Sequence, residues 1–102
     1  MKRFRSDALD RLFEAILSLE NIEECYDFFE DVCTIKEVRD MAQRLEVAEL
    51  LDKKKNYQEI AEKTAVSTAT ISRVSKCLNY GSGGYRIAID RLNNSEDKND
   101  NK

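Results

Sequence analysis

The chain has no proline in 102 residues, and its three glycines all fall between residues 81 and 84. Proline breaks a helix from within, by removing a backbone donor and clashing with the preceding turn; glycine is the next strongest breaker. With the first absent and the second confined to one run, the expected architecture is helices joined by short turns. The run Gly81-Ser82-Gly83-Gly84 must itself be a turn, because each glycine costs a helix interior about 1 kcal/mol. The length suits one domain. A composition of 41% hydrophobic and 36% charged residues is that of a soluble globular chain, too apolar to stay disordered.

Apolar spacing and cap residues place the helices. Ser6 caps an amphipathic helix to about residue 19, with Leu9, Leu12, Phe13, Ile16 and Leu17 on its apolar face. Asn21 and Glu24 have the spacing of a capping box for a second helix that turns Ile22, Cys25, Tyr26, Phe28, Phe29 and Val32 inward and acidic residues outward. Thr34 and Glu37 open the longest helix, roughly 35 to 53, which is close to apolar all round in its second half. Two short helices follow, roughly 57 to 63 and 67 to 78, capped by Asn56 and Ser67. A last short helix spans roughly 85 to 92. Residues 93–102 have no apolar side chain and read as a disordered polar tail, so the folded domain is residues 1–92. The first three helices are apolar on wider faces than a domain of this size covers alone, which favours a homodimer over a compact monomeric bundle.

Several classes of function are disfavoured. No stretch approaches the ~18 apolar residues of a membrane span, and the basic start is followed by an apolar run too interrupted for a signal peptide. Cys25, Cys33 and Cys77 are odd in number, lack Cys-x-x-Cys spacing and have no histidine to join, so free thiols in a reducing cytoplasm are expected, with no metal site and no cofactor. Without histidine, a phosphate-binding loop or clustered carboxylates, an enzyme is the weakest reading.

The net charge is −3, but it is unevenly spread. Residues 1–52 carry 7 basic and 14 acidic side chains, net −7, whereas residues 53–92 carry 8 and 3, net +5. Double-stranded DNA responds to the field within a Debye length, roughly 8 Å at physiological salt, so the basic half can bind while the acidic half faces away.

Residues 57–74 meet the steric demands of a helix-turn-helix. Two short helices crossing steeply need a small residue at their closest approach, Ala61, and another in the turn, Ala65. They also need aliphatic plugs from both sides: Ile60, Val66, Ile71 and Val74. Ala65 replaces the usual glycine, which requires a backbone free of left-handed strain there. The geometry turns Ser67, Thr68, Ala69, Ser72, Arg73 and Lys76 outward, toward a major groove about 12 Å wide. Thr68, Ala69 and Ser72 are candidates for base edges, their hydroxyls for either base type and their methyls for thymine. Lys76, Lys63, Gln58, Lys54, Lys55 and the amides beginning at Ser67 are candidates for phosphates.

Three segments, Ala69-Thr-Ile-Ser-Arg73, Gln43-Arg-Leu-Glu-Val-Ala-Glu-Leu-Leu51 and Leu78-Asn-Tyr-Gly-Ser-Gly-Gly-Tyr85, resemble the Trp-repressor-like family, in particular its YerC/YecD branch. The resemblance covers about residues 5–92. It implies an all-α, intertwined six-helix homodimer whose two reading heads face successive major grooves, about 34 Å apart, on a near-palindromic operator. It also implies a candidate effector pocket. Arg44 and Arg73 would flank an indole, with Thr70 and Cys77 beside them and Thr34 approaching from the other subunit. Val74 stands where the tryptophan-binding member has glycine, and Cys77 where it has serine. Overfilling a closed slot typically costs about 1–3 kcal/mol, so another small corepressor is conceivable and tryptophan is not expected. In the plainer reading, Arg44 and Arg73 pair with carboxylates such as Asp40 or face phosphates. The rival function is a dimeric helical module that holds another protein without reading DNA.

Overall fold

The computed structural model describes residues 4–100, and among them every regular element is an α-helix. The helices are α1 (Asp7–Leu17), α2 (Ile22–Val32), α3 (Ile35–Asp52), α4 (Tyr57–Thr64), α5 (Thr68–Tyr80) and α6 (Gly84–Asp100). Local chemistry accounts for where they start. Ser6 accepts from the Leu9 amide at 3.1 Å, and Asn21 from the Glu24 amide at 2.8 Å. Thr34 and Glu37 form a reciprocal capping box: the Glu37 amide donates to the threonine hydroxyl (3.1 Å) and the Thr34 amide to the carboxylate (2.8 Å). Hydrogen bonding to the carboxylate by the Thr34 amide, and then by its hydroxyl, holds the Glu37 carboxyl below its ordinary range. Asn56 and Glu59 form a second such box at the start of α4.

The helix bounds expected from the sequence fall within two residues of those observed, except at the end of the chain. There α6 runs on through Asp100, so the separate disordered tail expected over 93–102 is corrected as far as that residue. No glycine or proline follows Gly84. A helix once nucleated gains one hydrogen bond per added residue, so a sequence without breakers can carry it onward without an apolar period.

The described chain forms two compact units, divided between Val38 and Arg39 within the span of α3. In the first unit neither α1 nor α2 has a buried residue. Phe28 and Phe29 meet edge to face at 5.3 Å, while Phe13, Leu17, Ile22, Tyr26, Val32 and Ile35 are exposed. The expectation that α2 turns Ile22, Tyr26 and Val32 inward therefore fails within a single chain. Their apolar stripe is present, but no element of this unit covers it.

The second unit holds the core. Val47, Ala48 and Leu50 of α3 cluster with Ile60 of α4, Val66 of the following turn, Ile71 and Val74 of α5 and Ile89 of α6. The end of α3 closes with Lys54 in the left-handed region (φ 66°), the Lys54 amide bonding the Leu51 carbonyl (3.0 Å) and the Lys55 amide the Leu50 carbonyl (3.1 Å). The Arg86 guanidinium of α6 reaches 34 positions back to Asp52 (2.7 Å) and also bonds Asp90 (3.3 Å). The two carboxylates push its already high pKa further up.

The turn between α5 and α6 depends on glycine. A Cβ on Gly81 would collide with the Cys77 carbonyl oxygen, and Gly83 has φ +90°. This leaves Tyr85 one residue inside α6.

Candidate nucleic-acid interface

The pair α4–α5 has the packing that the sequence demands. Ile60 and Ile71 are fully enclosed, Val66 and Val74 nearly so, and Ala61 packs against the same cluster. The expectation for Ala65 is corrected: its backbone is left-handed, at φ 59° and ψ 23°. Thr64, which sequence reasoning did not single out, explains how that turn is held. It is the one buried polar residue among those described, and its hydroxyl donates to the Ile60 carbonyl (2.7 Å) while accepting from the Val66 amide (3.3 Å). A threonine closing a helix just ahead of a tight turn is the only signal the sequence offers for this role.

After the turn, Ser67 caps α5, accepting from the Thr70 amide at 3.2 Å and lying 3.2 Å from the Thr70 hydroxyl. At about 100° per residue, Thr68, Ala69, Ser72, Arg73 and Lys76 fall within an arc of roughly 140° on α5, opposite Ile71 and Val74. All five are exposed, as is Ser67. The first turns of α1 to α4 each carry acidic residues, whereas that of α5 carries none. The positive end of the α5 dipole and its free amides are thus left uncompensated, an arrangement that favours an anion.

The flanking candidates are also exposed. Lys63 lies in the last turn of α4, and Lys54 and Lys55 lie in the α3–α4 connection. Gln58 is on the surface of α4, its amide donating to Glu62 at 3.4 Å.

The candidate effector residues are partly brought together. Arg44 of α3 and Cys77 of α5, both exposed, are each within electrostatic reach of the Tyr85 phenol. The phenol pKa is pushed up chiefly by burial and then by the Cys77 thiol, with the Arg44 guanidinium acting in the opposite direction. Thr70 is half-buried and tied to Ser67, Arg73 lies on the exposed arc, and Thr34 belongs to the first unit, where it caps α3. Val74 is core rather than a pocket wall, only 3% exposed. Tyr85 was not evident as a member of this group, since an aromatic residue after a glycine turn reads first as ordinary packing.

Comparison with known proteins gives a consistent answer. The model of the Trp repressor protein family matches residues 7–93. The uncharacterized protein YerC of Bacillus subtilis (strain 168) is 50% identical over 100 residues, covering 98% of this chain and 96% of that one. A TrpR-like protein from Eubacterium eligens ATCC 27750 superimposes with a TM-score of 0.85 at 54% identity, over 87% of this chain and 92% of that one. A candidate Trp repressor from Staphylococcus aureus does so with a TM-score of 0.84 at 48% identity, over 87% and 89%. With six helices among its described residues and a packed helix-turn-helix, the chain belongs to the Trp repressor family.

Proposed function

We propose that the protein is a sequence-specific DNA-binding transcriptional regulator, a repressor, that acts in the cytoplasm as a homodimer on a near-palindromic operator. The observation that carries this reading is the exposed arc of α5, small and polar where bases would be met and basic where phosphates would be. Thr68, Ala69 and Ser72 are assigned to base edges. Arg73, Lys76, Lys63, Gln58, Lys54, Lys55 and the amides after Ser67 are assigned to the phosphate backbone, which fixes register without carrying sequence information.

Dimerisation is supported by the first unit. Leu17 is 84% exposed, Ile22 71% and Tyr26 67%, more large apolar surface than a monomer leaves in water without a use. A second copy of the chain covers it in this reading, and the twofold relation sets two reading heads about one helical turn apart, roughly 34 Å.

The same reading does not expect tryptophan as effector. Val74 is committed to the core, and the Cys77 sulfur is only a weak acceptor where a ligand's amino group would donate. Isothermal titration is expected to show no tryptophan binding at micromolar concentrations, and micromolar affinity would contradict the assignment.

Selection of bound sequences from a random double-stranded pool tests the function itself. The wild type is expected to return one motif with half-sites about 10 bp apart, centre to centre, and Ser72→Glu none. A module that holds only another protein returns no enriched motif, and that result would overturn the reading.

A further inference from the structure

Tyr85 is placed unusually for a residue outside the proposed reading face. It stands directly after the glycine turn, half-buried, and packs against the cluster to which α3 contributes Val47, Ala48 and Leu50 and α5 contributes Ile71 and Val74. Its hydroxyl is near Cys77, the residue on α5 that follows Lys76, and near Arg44 on α3. The ring thus packs against a cluster built by both helices, and its hydroxyl lies within electrostatic reach of a residue on each.

The turn keeps it there. Gly81 approaches the Cys77 carbonyl too closely for a side chain, and Gly83 takes up a conformation that other residues resist. The Arg86–Asp52 bond then ties the first turn of α6 to the end of α3. A large flat ring with a polar tip, anchored by its neighbours on both sides, fills space and fixes orientation at once.

We propose that Tyr85 is an aromatic wedge carried by the chain itself, which sets α5 against α3 and so presents the reading face without any bound effector. It is a positioning residue. The part of the inference that concerns DNA rests on the function proposed above, while the part that concerns the order of α5 does not.

The test compares wild type, Tyr85→Ala and Tyr85→Phe, each well below its melting temperature, with p-cresol as a probe that replaces the deleted side chain. Amide hydrogen exchange is read in α5 and, as an internal reference, in α4. In Tyr85→Ala the α5 amides are expected to exchange about tenfold faster relative to α4, and affinity for the selected DNA to fall about tenfold, as an unfilled site loosens the element beside it. Millimolar p-cresol is expected to restore both in Tyr85→Ala while leaving the wild type unchanged, and Tyr85→Phe, which keeps the ring, is expected to behave as the wild type. Exchange that rises equally in α4 and α5, or that p-cresol fails to reverse, would overturn the proposal, since a merely structural ring loosens both helices together. If no variant binds DNA, the function is lost and the exchange comparison still decides the wedge.

Discussion

Ala65 sits at φ 59° and ψ 23°, where an L side chain costs about 1–2 kcal/mol relative to the right-handed region. Ala65→Gly removes that cost but frees the unfolded chain, so urea denaturation should show a net gain of only about 0.5 kcal/mol. Ala65→Val, with a branched side chain in the same conformation, should lose about 1–2 kcal/mol. Thr64→Val keeps the shape and deletes both hydrogen bonds that hold the turn, leaving the Val66 amide unpaired. That change should cost about 1–3 kcal/mol. Sequence reading identifies the need for a small residue at 65 from the steep helix crossing, yet not the sign of its φ. Alanine is compatible with both regions, and the left-handed one accompanies a turn in which the Thr64 hydroxyl bonds the Ile60 carbonyl and the Val66 amide, a local arrangement that the residue types at 64 to 66 do not announce.

At the scale of elements, helix starts are legible because caps are local chemistry: Ser6, Asn21, Thr34 with Glu37, Asn56 with Glu59, and Ser67 each bond the amide three residues on. Asn56→Ala should destabilise the α4–α5 pair by about 1 kcal/mol in thermal or urea unfolding. Glu37 predicts a pH dependence. Its carboxyl is held below the ordinary value of 4.5 by the Thr34 amide and hydroxyl, so the folded state favours the charged form. The resulting stability is fully present above pH 4.5 and is lost as pH falls through the lowered folded value. Unfolding followed by circular dichroism should therefore show an acid-side loss that is smaller in Glu37→Gln. The end of α6 was not legible, because residues after 92 lack the apolar period that marks a helix, though nothing in them breaks one. The exposure of α2 was hidden for a different reason. Periodicity reveals an apolar stripe at Ile22 and Tyr26, but whether it is buried depends on what lies against it.

For the whole molecule, the sequence already separates an acidic half, net −7 over residues 1–52, from a basic one, net +5 over 53–92. That division suits the proposed function, in which the opening helices meet a second copy and the later helices meet DNA. Sedimentation equilibrium should find a dimer, and Ile22→Asp with Tyr26→Asp, one turn apart on the exposed face of α2, should give monomers that have lost most DNA affinity. The most direct measurement for the central claim, that the outward face of α5 reads DNA, is anisotropy titration of the selected duplex at several salt concentrations. For a dimer neutralising about six or more phosphates, log affinity should fall with log salt at a slope near −5 or steeper. Ser72→Glu and Lys76→Glu should each weaken binding at least about tenfold, the latter with a shallower slope. Affinity that is flat with salt and unchanged in both variants would contradict it.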